Sequence, residues 1–213
     1  MTRYSDRAVP DDVADDPEAP IRALCTAGKW GSAATAIVEK YGRELLEYLV
    51  AIARSEADGA DAFSLYTEDL WRGLPKFRWQ ASARTWSYTL ARHALARVRR
   101  DPARRPGRKI ALSDAPEVAR AADQVRTRTI SYLRTEVKDR VAQLRDELSP
   151  EDQAILILRI DRRLEWRDVV RALAEEGEKG EELGDAEVTR RSAALRKRFE
   201  RIKTDLKKLV ARR

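Results

Sequence analysis

Two blocks of Lys and Arg are the residues of this sequence with the clearest chemical capacity, because clustered cations bind polyanions. Residues 72–109 contain twelve Lys and Arg against Asp101 alone, and residues 190–213 contain eleven against Glu200 and Asp205. The whole chain carries a formal net charge of +7. A block of like charges is often only a solvated face. Two separate blocks nevertheless favour two contacts with one long polyanion, and nucleic acid is the first candidate.

Residue types that support catalysis are sparse. The only histidine, His93, has no His or Cys neighbour at the spacing of metal ligands. The sequence also lacks a Gly-Lys-Ser/Thr phosphate loop and a nucleophile elbow. Carboxylate pairs such as Asp11-Asp12 are typical of solvated loops. The sequence therefore predicts a protein that is not an enzyme and that uses no cofactor and no metal.

The length and the cysteine content indicate the kind of protein and its compartment. A chain of 213 residues suits two small domains. The single cysteine, Cys25, can form no internal disulfide, which favours a reducing compartment. No apolar run approaches the ~20 residues that cross a bilayer, and the N-terminus is acidic. We expect a cytoplasmic protein with no membrane partner.

The elements that must position these residues are predicted to be helices. Apolar residues recur at spacings of three and four almost throughout the chain, which predicts an all-α fold. In the first half they form three stripes, which begin near Ile37, Phe63 and Trp86. Ser82 is the predicted N-cap of the third helix, and Pro20 is placed to start a short helix ahead of all three.

Breaks in this pattern divide the chain into four parts. Residues 1–20 hold six acids, two bases and three prolines, which predicts an acidic, disordered arm. Residues 21–100 are the first predicted helical domain. Residues 101–124 contain three prolines and Gly107 and few large apolar residues, which is typical of a flexible interdomain linker. Residues 125–213 are the second helical domain.

The second half carries a predicted helix-turn-helix. Ser149 and Pro150 are a strong helix start, and three short helices precede a long basic one that begins at Asp185. A basic helix of this kind fits the major groove of DNA. The cations that we expect to meet DNA are Arg190, Lys197 and Arg201, which lie opposite the apolar stripe, and Arg191 and Arg198, which flank it.

The two halves together resemble the bacterial extracytoplasmic-function (ECF) sigma factors. The order of elements from Tyr41 to Arg100 looks like their region two. It includes the opening run Tyr41-Gly42-Arg43-Glu44-Leu45-Leu46, then Asp61-Ala62 with Leu65, and then a stretch from Phe77 through Trp86 to Arg100. Residues 144–209 look like region four, which begins at Leu148-Ser149-Pro150-Glu151-Asp152-Gln153-Ala154-Ile155-Leu156. The order and spacing of these elements carry the resemblance, since no single motif is specific.

This resemblance implies a sigma factor that binds core RNA polymerase and directs promoter recognition and melting. Region two would contact the polymerase clamp through Asp61, Leu65, Glu68 and Leu70. Region four would read the minus-thirty-five element through the five cations of the last helix. The resemblance also admits an anti-sigma factor as a partner.

Region two would also melt the minus-ten element. Melting needs aromatic faces for an unstacked base and cations for the displaced strand. We expect Trp86 to lie in the core because it starts an apolar stripe, and Trp79 to be the better stacking residue. The minus-ten candidates are Lys76, Phe77, Arg78, Trp79, Arg84 and Arg92.

Three departures from the family pattern affect these expectations. Phe63, Ser64 and Thr67 stand where the family usually has Glu, Asp and Gln on the clamp-facing helix. His93 stands where Asn is usual. The stretch from Glu175 to Asp185 is longer and more acidic than the turn of a helix-turn-helix, so that the motif has an insertion or is distorted.

Two other classes of protein fit the same sequence. A helix-turn-helix regulator that acts without polymerase would keep the basic last helix and need no polymerase-facing domain. A helical protein-protein adaptor would use its apolar faces for partners and its charge only for solubility.

Overall fold

The computed structural model describes residues 16–100, 113–135, 147–175, 178 and 180–211. All regular elements in these ranges are helical, which confirms the predicted all-α class. The α-helices are α1 (Ala19–Thr26), α2 (Trp30–Ala53), α3 (Glu56–Gly73), α4 (Ala83–Arg100), α5 (Pro116–Thr135), α6 (Pro150–Leu156), α7 (Trp166–Ala172) and α8 (Asp185–Ala211). A 3₁₀ turn at Leu74–Lys76 follows α3, and a π-helical turn at Ile157–Asp161 follows α6.

Three serines fix where helices begin. Ser55 and Ser149 accept hydrogen bonds from the backbone N–H groups of Asp58 and Asp152, each at 3.2 Å, at the starts of α3 and α6. Ser82 accepts one at 3.0 Å from the N–H group three residues later, at the start of α4. Each side chain satisfies a donor that the helix itself leaves unpaired. The predicted caps Ser82 and Ser149 are confirmed.

Helices α2, α3 and α4 form a bundle around a core of large side chains. Tyr48 of α2 and Tyr88 of α4 are buried and meet edge to face, with 5.2 Å between the ring centroids. Helix α3 comes very close to α2 at Gly59, where a Cβ would lie 2.9 Å from the backbone of Val50. The bundle thereby fixes both ends of the connection between α3 and α4, residues 74–82.

Helix α5 differs from the sequence expectation. Pro116 was expected to break regular structure, but it is the first residue of this helix. At the first helical position the N–H group has no partner within the helix, so proline loses no hydrogen bond there. The predicted linker is therefore wrong for residues 116–124, which pack with the rest of α5 along α2. Residues 101–112 of that linker lie outside the described residues, as do residues 136–146.

The C-terminal helices share a core with the bundle. Leu158, Leu164 and Val169 are buried in the same apolar cluster as the bundle residues. A smaller cluster joins α6 to α8 through Ile155, Phe199 and other side chains. The four-part domain division stays a prediction, but the apolar surfaces of the two halves meet in this structure.

Polar contacts also join the N-terminal bundle to the C-terminal helices. The Thr89 hydroxyl donates to the carbonyl of Arg171 at 2.9 Å. Arg162 and Glu47 form an ion pair at 2.7 Å, in which both side chains are about four-fifths buried. These bonds join α4 to α7 and α2 to the segment after α6.

The N-terminal part of the described chain belongs to the bundle. Residues 1–15 of the predicted acidic arm lie outside the described residues, but Glu18 is only 4% exposed and Pro20 lies in the first turn of α1. Cys25 is buried, and this burial raises the pKa of its thiol. No helix in the described ranges is long and apolar enough to span a membrane.

Candidate nucleic-acid interface

Three aromatic rings are in contact where the connection from α3 to α4 meets α4: Phe77 and Trp79 lie on the connection and Trp86 lies on α4. Phe77 stacks on Trp86 with 4.3 Å between centroids and an interplanar angle of 12°, and it touches Trp79 at 4.9 Å. Trp86 is 5% exposed, so the prediction that it lies in the core is confirmed. Phe77 is half-buried because one of its faces is committed to Trp86.

Trp79 is held in an unusual backbone conformation. Its φ of +59° lies in the left-handed region, which costs a bulky residue on the order of 1–3 kcal/mol unless neighbours hold it there. The guanidinium of Arg22, on α1, lies 4.1 Å from the centroid of its ring. Sequence reasoning missed Arg22, because this cation–π contact joins residues far apart in the chain.

Glu18 fixes the start of α4. Its carboxylate accepts hydrogen bonds from the backbone N–H groups of Ala83 at 2.6 Å and Arg84 at 2.9 Å, and from the hydroxyl of Tyr41 at 2.9 Å. A carboxylate here satisfies two unpaired donors and faces the positive end of the helix dipole. Burial and the neighbouring Glu18 charge raise the pKa of Tyr41 well above its usual range. The sequence placed Glu18 in the acidic arm, and no local signal in it indicated this role.

The four minus-ten cations have different surroundings. Lys76 and Arg78 are exposed on the connection. Arg84 forms two hydrogen bonds of 2.7 Å with Glu44. Arg92 donates to the carbonyl oxygens of Leu173 and Ala174 beyond α7. Lys76 and Arg78 are therefore the two of these four cations that have no ion-pair partner among the described residues and that are exposed to solvent.

An open cavity of about 510 Å³ lies beside Trp79. The N-terminal segment, the α3–α4 connection and the start of α7 all line it. Asp168 of α7 also lines the cavity. Burial raises the pKa of its carboxyl group, and this effect exceeds the opposite effect of the hydrogen bond that Thr85 donates to it. The cavity lining therefore carries both signs of charge, with the carboxylates Asp16, Glu18, Glu165 and Asp168 and the guanidinium groups of Arg22, Arg84 and Arg163.

The polymerase candidates on α3 separate into exposed and buried residues. Asp61 and Leu65 are partly exposed, whereas Glu68 is 8% exposed and Leu70 is fully buried. Leu70 belongs to the core, so it offers no surface in this conformation. The three departures from the family pattern are also buried, with exposures of 0% for Phe63, 1% for Ser64 and 0% for Thr67.

The five cations of α8 fall into two groups. Arg190 is paired with Glu187, Arg191 with Glu178 and Glu187, and Arg198 with Asp152. Lys197 and Arg201 are exposed, and no acidic group among the described residues lies within ion-pair distance of either. The two hydrogen bonds from Arg191 lower the pKa of Glu178 to about 2.

Helices α7 and α8 are the predicted helix-turn-helix pair. They pack against each other through Trp166 and Phe199, whose rings lie 5.4 Å apart. Residues 173–184 separate the two helices, so the connection is longer than the usual turn, as the sequence predicts. The motif itself stays a prediction.

A comparison with known families decides what the bundle resembles. Residues 37–105 match the family model described as Sigma-70 region 2. The match covers about a third of the chain and includes most of α2, all of α3 and α4, and the aromatic connection between them. The match supports a relationship of this chain to the sigma-70 family and a sigma-factor role in transcription initiation. The sigma-70 family is not a class of enzymes. No curated protein and no solved structure matches the chain.

The sigma-70 region 2 match contains all the polymerase and minus-ten candidates named above. Glu18 and Arg22, which hold the aromatic connection, lie outside it. The region-four candidates on α8 also lie outside it. The described residues contain no cluster of His, Cys, Asp and Glu arranged to hold a metal ion.

Proposed function

We propose that this chain is an ECF-type sigma factor. In this function the helices α2 and α3 bind core RNA polymerase, and the connection from α3 to α4 captures the melted minus-ten element. Helix α8 reads the minus-thirty-five element of promoter DNA. The protein acts in the cytoplasm, where polymerase and promoter DNA meet.

The observation that carries this proposal is the coincidence of the sigma-70 region 2 match with the aromatic connection. Trp79 is half-buried at the edge of a cavity, and the exposed cations Lys76 and Arg78 flank Phe77 beside it. Stacking on an aromatic ring contributes roughly 1–3 kcal/mol per unpaired base, and nearby cations retain the strand. This pairing of chemistries is what strand melting requires.

The basic face of α8 supports the second DNA contact. Lys197 and Arg201 are exposed and one helical turn apart, opposite the side on which Phe199 and Ile202 are buried. A helix presents such residues to a groove while its apolar side remains packed. We assign base reading to this pair and phosphate contacts to Arg191 and Arg198, after these release their carboxylate partners.

A run-off transcription assay tests the proposed function. Core RNA polymerase with the full chain and genomic fragments is expected to produce discrete transcripts that core polymerase alone does not. Co-purification of the chain with core polymerase is the parallel binding measurement. The absence of both transcripts and binding would reject the sigma-factor role.

One observation favours a second candidate, the helix-turn-helix regulator that acts without polymerase. Phe63, Ser64 and Thr67 are buried on the helix that should grip the clamp. A regulator of this kind needs no exposed clamp surface. Specific DNA binding without any affinity for core polymerase would support it over the sigma factor.

A further inference from the structure

The α7–α8 connection packs against α4 of the bundle. Its described residues are 173–175, 178 and 180–184, and they belong to the long acidic stretch that replaces the usual short turn of a helix-turn-helix. The 3₁₀ turn at Gly180–Glu182 within this connection contacts α4. The segment that departs from the family pattern therefore touches a helix of the N-terminal half.

The first carbonyl groups of the α7–α8 connection hold a cation of α4. Arg92 donates to the carbonyl oxygen of Leu173 and, at 3.2 Å, to that of Ala174. The Nε2 atom of His93 lies 3.3 Å from the same Ala174 oxygen. Carbonyl groups at the end of a helix have no partner within it and carry partial negative charge, so a cation binds them favourably. Arg92, a minus-ten candidate, is thereby engaged inside the protein.

A carboxylate of the same connection holds a cation of α8. Glu178 accepts two hydrogen bonds of 2.8 Å from the guanidinium of Arg191. It also accepts one of 2.9 Å from the backbone N–H group of Glu175, which fixes the carboxylate within the connection. Arginine binds carboxylate and phosphate groups with the same two-pronged geometry. Arg191, a phosphate-contact candidate for the minus-thirty-five element, is thus the second cation that this connection engages.

The carbonyl group of Arg171 is the point where α4, α7 and the connection meet. The Thr89 hydroxyl of α4 donates to its oxygen at 2.9 Å. Gly180 packs against the same group from the side of the connection, where a Cβ would collide with it. Glycine permits this close approach of two backbone segments. The position of the connection therefore depends on one small residue and one hydroxyl group.

We propose that the α7–α8 connection is an autoinhibitory strap, which occupies Arg92 and Arg191 until DNA phosphates replace its carbonyl and carboxylate oxygens. This inference rests on the proposed function, which assigns both cations to DNA, and it adds the regulation of that contact. Only the strap moves, and the shared apolar core stays packed. The affinity of the free chain for DNA is reduced because the released state is a minor one.

A pair of glycine substitutions tests the strap in the full chain. Gly180→Ala places a Cβ against the Arg171 carbonyl, whereas a Cβ at Gly184 meets no atom of the described residues within 4 Å, so Gly184→Ala is the matched control. We expect Gly180→Ala to speed hydrogen exchange of the strap amides. It should also bind a labelled DNA duplex of random sequence about five-fold more tightly than the control, as measured by fluorescence anisotropy. Faster exchange with unchanged DNA affinity would overturn the inference.

A second pair of variants loosens the strap from the side of α4. Thr89→Val removes the hydroxyl that donates to Arg171 and leaves the charge of Arg92 in place. Thr35→Val is the control, since the Thr35 hydroxyl has no hydrogen-bond partner in the described part of the chain. We expect a smaller gain in DNA affinity than for Gly180→Ala, and circular dichroism checks that every variant is folded. This pair decides the question even if Gly180→Ala fails to fold, and equal affinities within it would then overturn the strap.

Failure of the strap is distinguishable from failure of the proposed function. Equal DNA affinities of both variants and their controls would overturn the strap, while run-off transcripts from the parent would still support the sigma-factor role. Tighter DNA binding by Gly180→Ala in a protein that gives neither transcripts nor polymerase binding would support the strap, reject the sigma factor and favour the helix-turn-helix regulator.

Discussion

Trp79, the proposed base-stacking residue, has a backbone conformation that suits glycine. Its φ of +59° is maintained while Arg22 and Phe77 contact its ring. Strain of this kind persists where the surroundings fix a residue, and it is common at binding sites. The ring is thereby held at the cavity, so the stacking proposed for it would require little further ordering of the side chain.

Removing the Trp79 ring is expected to impair melting more than binding. For Trp79→Ala we expect closed promoter complexes to form nearly normally, and open complexes to lose about 1–3 kcal/mol, because the stack forms only after a base leaves the duplex. Permanganate reactivity of promoter thymines measures the opening. Thymine reactivity equal to that of the parent would assign Trp79 a purely structural role.

A comparison of two small side chains at position 79 separates the ring from the strain. Trp79→Gly lacks the ring as Trp79→Ala does, but it adopts positive φ without penalty. Its midpoint of thermal unfolding should therefore exceed that of Trp79→Ala, while both variants show the same defect in melting.

Glu178 restrains one of the phosphate-contact candidates of α8. Two hydrogen bonds of 2.8 Å hold the Arg191 guanidinium on its carboxylate. Glu178→Gln should weaken the hold on Arg191, which keeps its pair with Glu187, and should therefore raise the affinity for DNA of any sequence and steepen its salt dependence. Glu39→Gln, an exposed change of equal charge on α2, should leave that slope unaltered. Equal slopes in the two variants would show that the Glu178 pair does not limit the contact of Arg191 with DNA.

The pH dependence of the protein's stability tests the ion pair of Glu178 and Arg191 independently of DNA binding. The pKa of Glu178 is about 2 in the folded protein, below its value in the unfolded chain. The Glu178–Arg191 pair therefore stabilises the folded protein above about pH 4.3, and this contribution to the free energy of unfolding is lost as the pH falls towards 2. The parent should lose slightly more stability than Glu178→Gln over this interval, with a small difference because the pair is partly exposed.

At the scale of elements, α1 acts as a support for α4. Glu18 crosses from the start of α1 to the first turn of α4, and Arg22 extends from α1 to the connection just before it. A short helix thus determines where a distant helix begins. The position of Trp79 depends on both contacts.

Loss of the Glu18 carboxylate should destabilise this junction. In Glu18→Ala the buried N–H groups of Ala83 and Arg84 lose their acceptor, and we expect the free energy of unfolding to fall by about 1–3 kcal/mol. Urea denaturation measures the change, and Glu39→Ala is the exposed control. An effect no larger than that of the control would mean that water replaces the carboxylate.

Local patterns predicted most of the helices but not their contacts. Periodic apolar residues and the serine caps predicted α2, α3, α4 and α6, because both signals are properties of neighbouring residues. Helix α5 was missed up to residue 124, since its buried side is small and Pro116 reads as a break. Its packing against α2 depends on a close approach at Gly42, which sequence spacing does not reveal.

The sequence predicted which residue types the candidate site contains, but only some of the contacts between them. The aromatic and cationic residue types of the connection were apparent from the sequence, and so was the core position of Trp86. The contributions of Glu18 and Arg22 were not, because they act across more than fifty residues of chain. The ion pairs of Arg191 and Arg198 likewise depend on tertiary structure.

At the scale of the molecule, the bundle is completed by its C-terminal half. Leu158, Leu164 and Val169 lie in the main core, so a chain ending at Arg100 would expose the apolar surface that they cover. We expect this truncated chain to unfold at a lower temperature than the full protein and to bind the dye ANS. Calorimetry and dye fluorescence measure both effects. An unchanged unfolding temperature would show that the first half is stable alone.

The shared core also sets an order of events during synthesis. Helix α4 leaves the ribosome about 70 residues before the end of α7, whose side chains cover part of its surface. At roughly 5–20 residues per second, that interval lasts several seconds. The nascent chain therefore carries an uncovered apolar patch throughout this time, which makes it a natural client for a ribosome-associated chaperone.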